Sequence, residues 1–360
     1  MIKACCNNGW QAHYFSSGKF PISNPKAIYY STPGLGNKSW LIAAYYLLIL
    51  PFKILLTSRK EKIDLFLPFG LVYTFILSIP HFILRIPVIT FIRSNWIEEL
   101  QLAQKNKLVI ILARLIIHIG AASSDLIVVN SETLKIEISK ILGHRMGKKI
   151  KVLYNNIDPL SDSDLIKLRG NKHLFLKKLG ITGNPFIIGY SGTLKPRKEI
   201  TLLIKAFQKT DINNTILIIV GSGSEENNLK QLVKELSIES RIFFVGWQED
   251  PIPIVACFDL MVHPTKFEGC PNSILDALTC EVPCIASDVT GVTDVLNEKE
   301  LLFPPSDENA IVDRMKSIIT DQQVYYRISE LSKKQKQKLC FDWDKKLVDL
   351  CNNLLGENEN

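Results

Sequence analysis

The sequence predicts an α/β protein of two tandem domains, each a parallel sheet with crossover helices. Three observations carry this. Short apolar runs alternate with longer helix-like segments through most of the chain, the pattern of βαβ units. The 360 residues are 46% hydrophobic, enough for two cores of ordinary size. The alternation breaks at Tyr154-Asn-Asn-Ile-Asp-Pro, where the charge balance also changes sign: residues 1–155 carry 19 Lys+Arg against 7 Asp+Glu, the remainder 24 against 29. The domains are therefore expected at residues 1–155 and 156–340, with residues 341–360 as a terminal segment.

In the first half, Ile63-Asp-Leu-Phe-Leu-Pro is expected to be a buried parallel strand and its end, Leu71 to Leu84 a helix, and Ile86-Pro-Val-Ile-Thr-Phe-Ile the next strand. Leu108 to Ile119 follows as a helix, Asp125-Leu-Ile-Val-Val-Asn as a strand, Thr133 to Leu142 as a helix and Lys151-Val-Leu-Tyr as the closing strand. The second half repeats the scheme: strand Phe186-Ile-Ile-Gly-Tyr, helix Ile200 to Phe207, strand Thr215-Ile-Leu-Ile-Ile-Val, helix Glu226 to Leu236, strands Ile242-Phe-Phe-Val and Leu260-Met-Val, helix Asn272 to Cys280, strand Cys284-Ile-Ala. In such sheets ligands sit beyond the carboxyl ends of the strands, where loops carry free helix N-termini.

The basic first half suits a polyanion, and the residues between the charges decide which. No zinc-finger spacing, RNP sequence or basic repeat is present, so nucleic acid is not the partner. The half is instead greasy, in Leu41 to Leu56 and in Leu65 to Leu84, twenty residues without Asp, Glu, Lys or Arg. That length suits a membrane span, but Pro68, Gly70, Pro80 and His81 divide it where an α/β unit is punctuated. The preferred reading is buried elements with an interface-seeking face, rimmed by Lys53, Arg59, Lys60, Lys62 and Arg85, each contributing on the order of 1 kcal/mol beside anionic lipid. A spanning helix and an ordinary solvated basic face are the alternatives. Eight cysteines without a Cys-x-x-Cys pair, and a start without an apolar signal region, read as reduced thiols of a cytosolic protein.

Three junctions of the second half can carry chemistry. Gly189-Tyr-Ser-Gly-Thr-Leu-Lys-Pro-Arg-Lys-Glu ends a strand in a small-residue turn and presents Lys195, Arg197 and Lys198, cations that suit a phosphate or simply a solvated loop. Val220-Gly-Ser-Gly-Ser-Glu opens a helix, with Gly221 and Gly223 letting backbone approach a ligand or simply forming a tight turn that needs none; the third glycine of a dinucleotide fingerprint is absent. In His263-Pro-Thr-Lys-Phe-Glu-Gly-Cys-Pro-Asn-Ser-Ile-Leu-Asp-Ala-Leu, Pro271 suits the first helical position, so amides from Gly269 through Cys270 and Asn272 to Ser273 would form an anion site. Glu268 and Asp276 flank it, and carboxylates accept hydrogen bonds from sugar hydroxyls. Together the three junctions describe a nucleotide-sugar site.

These residues also carry a family resemblance. In order stand Gly192-Thr-Leu-x-x-x-Lys198, Val220-Gly-Ser-Gly223, Arg241-Ile-x-Phe-x-Gly246, Pro264-Thr-x-x-Glu-Gly-x-Pro-Asn-x-x-x-Asp-Ala277 and Val282-Pro-Cys-Ile-Ala-Ser-Asp-Val-x-Gly291. With Ala122-Ser-Ser-Asp-x-Ile-x-Val-x-Ser131 and the linker Asn155-Asn-Ile-Asp158, they resemble retaining glycosyltransferases of family 4, with the GT-B architecture of two Rossmann-like domains facing a cleft. The resemblance implies that Phe341-Asp-Trp-Asp begins a helix returning to the first domain. It implies that Glu268 contacts the transferred sugar and Asp276 the ribose, where the family's pair is two Glu, and that Lys198 holds the diphosphate. Thr193 stands where an Arg is expected, with Lys195 or Arg197 as substitutes for its charge, Glu199 where a Gly is expected, and Asp294 where a final Glu is expected. Base choice is assigned to the loop at Gly246 and Trp247. The start, Lys3-Ala-Cys-Cys-Asn-Asn-Gly-Trp-Gln-Ala-His-Tyr-Phe-Ser, resembles the end of the family's first helix running into its second strand, without the first strand and glycine-rich loop.

The implied function is a retaining, hexosyltransferase-like enzyme moving a sugar from a nucleoside diphosphate to a glycan or lipid-linked acceptor in cell-surface polysaccharide or glycolipid synthesis. The donor is a co-substrate, and no cofactor or metal is implied, since Lys198 and the helix N-terminus can stabilise the leaving diphosphate. Asp162-Ser-Asp164 imitates a metal-binding Asp-x-Asp but reads as surface. The expected place is cytoplasmic, peripheral at the inner face of the membrane. The rivals are an inactive relative that binds nucleotide sugar or a partner enzyme, motivated by Thr193, Asp276 and the missing first strand, and a sugar-nucleotide epimerase, for which the six histidines supply no recognisable cleft set.

Overall fold

The computed structural model describes residues 1–18, 24–34, 40–94, 96–97, 100 and 106–356. The chain divides into two compact units, residues 1–153 with 342–360, and residues 154–341.

In the second unit six parallel strands, β6 (Phe186–Ser191), β7 (Thr215–Val220), β8 (Ile242–Gly246), β9 (Leu260–His263), β10 (Cys284–Ser287) and β11 (Leu302–Phe303), lie in the order β11-β10-β9-β6-β7-β8. The first five are where the sequence predicts them. Each central strand is covered on both faces, so its sequence is a continuous apolar run rather than an alternation, and every residue of β7 is buried. Amphipathic helices Ile200–Thr210, Glu226–Glu235 and Asn272–Thr279 supply the cover, joined by Glu308–Thr320 and Gln322–Leu339. Gly189 sits mid-strand because Phe258 packs onto it; a Cβ there would overlap the ring. Asp162 and Asp164 lie in the first turn of the helix Asp162–Gly170, where Ser161 caps the Asp164 amide at 3.1 Å and both acids favour the positive helix end.

The first unit opens with a helix, Ile2–Asn7, running into β1 (Ala12–Ser16), as predicted. β1 pairs in parallel with β2 (Ala27–Ser31), and Phe15 stacks on Tyr30 at 4.7 Å. A separate parallel sheet holds β3 (Ile89–Ile92), β4 (Leu126–Val129) and β5 (Ile150–Val152) in that order. The strand expected over Ile63-Asp-Leu-Phe-Leu-Pro is reduced to isolated parallel bridges, Phe66 to Val88 and Phe69 to Phe91. Pro68 and Pro87 remove ladder donors from both partners, which shortens the pairing. Helix Leu71–Leu84 appears as predicted, and the predicted Leu108-to-Ile119 helix runs over Lys107–Ala122. A buried hydroxyl chain ties this layer together: Thr90 Oγ1 lies 2.8 Å from Thr74 Oγ1 and 2.7 Å from Ser124 Oγ. Helix Trp343–Leu355 packs in this unit against Ile2–Asn7, with Leu347 and Cys351 buried. Among the described residues no helix is long and apolar enough to cross a membrane.

Candidate functional site

The loops after β6, β7 and β9 meet at the carboxyl edge of the second unit's sheet, because these three strands are neighbours there. The first two loops interlock through the backbone: the Leu194 amide donates to the Ser222 carbonyl and the Glu225 amide to the Leu194 carbonyl, both at 3.0 Å. A Cβ at position 221 would overlap the Gly192 carbonyl oxygen, and one at 223 the Leu194 carbonyl. The approach of one loop to the other is enough to require glycine at both positions of this turn.

The centre of the site is Glu268. Its Oε1 accepts from the Lys198 ammonium and, at 3.3 Å, from His263 Nε2; its Oε2 accepts from Arg197 Nη1 at 3.1 Å. Lys198 closes a 3₁₀ turn, Pro196–Lys198, and is only 6% exposed; the Glu268 side chain is 7% exposed. Burial alone would raise the Glu268 carboxyl, but the hydrogen bond from His263 and the charges of Lys198 and Arg197 hold it well below the usual carboxylate range. Burial pulls the Lys198 ammonium below its ordinary value, and Glu268 opposes that pull.

His263 was not assigned a role by the sequence, yet it organises the cluster. It is fully buried at the end of β9, its ring stacked on Tyr190 of β6 at 5.9 Å, and burial keeps it neutral by lowering its pKa. A carboxylate only accepts, so Nε2 carries the proton toward Glu268 and Nδ1 accepts from Ser273 Oγ at 3.2 Å. The one available signal was a histidine placed immediately before Pro264 at a buried strand's carboxyl end. Gly291 was seen only as part of a motif; here its Cβ would overlap the Glu268 carbonyl oxygen, so a glycine at 291 sets how close Glu268 and Gly269 come to that loop.

The remaining candidates fall into three groups. Arg197 is a brace: its guanidinium lies 5.1 Å over the Phe267 ring and donates to the Phe267 carbonyl at 2.9 Å, while its own carbonyl accepts from the Lys266 amide at 2.8 Å. Lys195 instead lines a cavity of about 280 Å³ with Lys205, Lys266, Glu225 and Glu308, and Thr193 is exposed. Neither Lys195 nor Thr193 bonds to Glu268, so of the expected diphosphate-binding cations only Lys198 and Arg197 reach the carboxylate cluster.

Pro271 is the N-cap of Asn272–Thr279, one residue earlier than expected; its extended backbone makes it the flanking residue and no side chain caps this end. Asn272 is exposed with its Oδ1 accepting from Asn155 at 2.7 Å, and Cys270 is half-buried. Gly246 (φ 73°) ends β8 beside a register shift against β7, and Trp247 is 68% exposed at that strand's carboxyl end.

Asp276 lies one turn into the same helix. Burial, with Asp250 adding like charge, pushes its carboxyl up to about 6. A raised acid pKa makes ionisation costly in the folded state, so the penalty is absent below its unfolded value near 4 and complete above about 6. Asp276→Asn is accordingly expected to stabilise the protein by roughly 2–3 kcal/mol at pH 8 and by almost nothing at pH 4. Urea unfolding at the two pH values checks this; equal effects at both would remove the carboxyl's ionisation as the cause.

Residues 171–335 match the model of a family described as glycosyl transferases group 1. Among curated proteins the chain is similar to N-acetyl-alpha-D-glucosaminyl L-malate synthase of Bacillus anthracis, 26% identical over 219 residues that are 60% of this chain and 55% of that protein. It is also similar to an N-acetylgalactosamine-N,N'-diacetylbacillosaminyl-diphospho-undecaprenol 4-alpha-N-acetylgalactosaminyltransferase of Campylobacter jejuni, 28% identical over 214 residues, 58% of this chain and 54% of that one. The chain thus spans about half the length of these relatives. Among solved structures, Anabaena HepE in complex with UDP-glucose superposes with a TM-score of 0.72 over 91% of this chain and 86% of its own, at 21% identity, a likeness of fold.

Proposed function

We propose, for a chain that carries a group 1 glycosyl transferase domain on the GT-B fold, the transfer of a sugar from a nucleoside diphosphate to a glycan or lipid-linked acceptor, with retention at the anomeric carbon. The observation that carries the reading is the buried Lys198–Glu268 pair set beside the uncapped N-terminus of Asn272–Thr279. Cleaving the donor develops negative charge on the diphosphate, and a preorganised ammonium and a helix N-terminus are what stabilise it, without a metal ion. Glu268 is held ionised and accepts hydrogen bonds from sugar hydroxyls, Asp276 takes the ribose hydroxyls, and Trp247 offers its exposed ring to the base. The Campylobacter relative's name specifies an undecaprenol-linked acceptor, which supports a lipid-linked acceptor and a cytoplasmic enzyme peripheral to the inner face of the membrane, in polysaccharide or glycolipid synthesis.

Incubating the chain with UDP-, GDP- and ADP-sugars and following donor cleavage and product by NMR tests this. One donor should be turned over, with the anomeric configuration kept. An inverted product would overturn the retaining assignment. Nucleotide binding without turnover would favour the inactive relative, the reading to which the exposed Thr193 points.

A further inference from the structure

The first unit leaves an apolar surface bare. Helix Leu71–Leu84 packs against both the helix Leu50–Glu61 and the helix Lys107–Ala122. The approach to the latter is close: a Cβ on Gly120 would overlap the Leu71 carbonyl, and Ser123 Oγ donates to Ser78 Oγ at 2.9 Å. Lys107–Ala122 turns Ala113, Ile117, Gly120 and Ala121 inward. On the opposite side Leu108, Ile111, Leu112, Leu115 and Ile119 recur at the spacing of one helical stripe, and all are 37–62% exposed. The neighbouring helices add Phe52 and Leu56, 54% and 67% exposed, and Ile79, Phe82 and Ile83, of which Phe82 is 84% exposed.

A helix with apolar residues on both its packed and its open side is ordinarily enclosed, and bare apolar surface on this scale marks something that covers it. Charge says what. Over the three helices Lys53, Arg59, Lys60, Lys107 and Arg114 face one acid, Glu61, and Lys62 and Arg85 cap two of the helix ends. A second copy of the same face would bring these cations against one another, whereas an anionic surface with an apolar interior satisfies both halves. We propose that this face seats on an anionic lipid bilayer, with the exposed Leu, Ile and Phe side chains among the acyl chains and the Arg and Lys side chains at the headgroups. The proposal deepens the peripheral placement proposed above by assigning the surface that makes it, and it is argued from the first unit alone, independently of the donor site. It also enlarges the expectation from sequence, which placed the interface-seeking segments at Leu41 to Leu56 and Leu65 to Leu84 and took Leu108 to Ile119 as an ordinary crossover helix.

Co-sedimentation of the full chain with phosphatidylglycerol-containing and pure phosphatidylcholine vesicles, at low and high salt, tests it. The anionic vesicles should bind the chain, and high salt should weaken that binding without abolishing it, because inserted side chains are not screened. Phe82→Ser/Leu112→Ser/Leu115→Ser should lower affinity at least about tenfold, and Leu56→Ser, on a separate helix, should lower it measurably on its own. Uridine diphosphate binding by the second unit, measured by calorimetry, should be unchanged in both variants, so failure of this proposal and failure of the donor-site reading give different results. Wild-type affinity in both variants, indifference to lipid charge, or a lipid-free dimer that the triple substitution dissociates would overturn the membrane assignment.

Discussion

Lys198→Ala is expected to lower sugar transfer by about 10² or more in kcat/KM while leaving the protein folded. Removing one preorganised donor from a developing anion typically costs about 3 kcal/mol of transition-state stabilisation. Lys198 is preorganised in a specific sense. It closes the 3₁₀ turn Pro196–Lys198, is 6% exposed and is held by Glu268, so its ammonium is fixed before any donor arrives. Neighbouring cations do not replace it. Arg197 is committed to the Phe267 ring and carbonyl, and Lys195 lines a different cavity. Folding survives the loss because Glu268 keeps two partners, Arg197 and His263. Steady-state kinetics with the identified donor and a circular-dichroism melt make the test, and a folded variant within threefold of wild type (roughly 0.7 kcal/mol) would take Lys198 out of the reaction. Glu268→Gln separates roles further: under the proposed assignment of Glu268 to the sugar, transfer should fall while the affinity for free nucleoside diphosphate changes little.

What the sequence could and could not say about this site follows from how each feature is built. β6, β7 and β9 were legible because a strand buried on both faces has to be a continuous apolar run, as Ile216 to Val220 is. The placement of Lys198 and Glu268 in loops was legible because strand-to-helix junctions fall just past such runs, and that of Asp276 because the apolar spacing after Pro271 marks the helix one turn into which it lies. The contact of His263 with Tyr190 was not, since it depends on β6 and β9 being neighbours although 73 positions separate the residues, and strand order is not written in either strand. Glu199 shows the reverse case. The resemblance expects glycine there, and the backbone agrees: at φ 47° the residue occupies the left-handed region that favours glycine, so the glycine pattern records a conformation this chain keeps with a different side chain. The bare stripe on Lys107–Ala122 escaped because periodicity marks apolar residues without saying which side of a helix meets a neighbour. Helices Glu308–Thr320 and Gln322–Leu339 carry no motif, yet their existence was legible in principle: Ile311, Val312, Met315 and Ile318, and Ile328, Leu331 and Leu339, recur at helical spacing along one buried stripe.

The same cluster sets the largest expected change in stability. Glu268→Ala should destabilise the second unit by about 3–5 kcal/mol, because it leaves the buried Lys198 ammonium without a counter-charge. The single change Lys198→Ala should cost less, as Glu268 retains Arg197 at 3.1 Å and His263 at 3.3 Å. The double variant is the informative one: with both charges gone nothing is left buried and unpaired, so its destabilisation should fall short of the sum of the singles by about 2 kcal/mol, the size of coupling expected for contacting groups. The pH dependence follows from the direction of the Glu268 shift. Its folded pKa lies below its unfolded value near 4.3, so the stability it contributes is present in full above that value and is lost as pH falls toward the folded pKa. The coupling measured at pH 7 should therefore persist at pH 5.5 and shrink at pH 3. Urea unfolding of the four proteins at these three pH values decides the matter. Additivity within about 0.3 kcal/mol at pH 7 would mean that Lys198 and Glu268 do not depend on each other, and the charge arrangement on which the transfer reading rests would have to be abandoned.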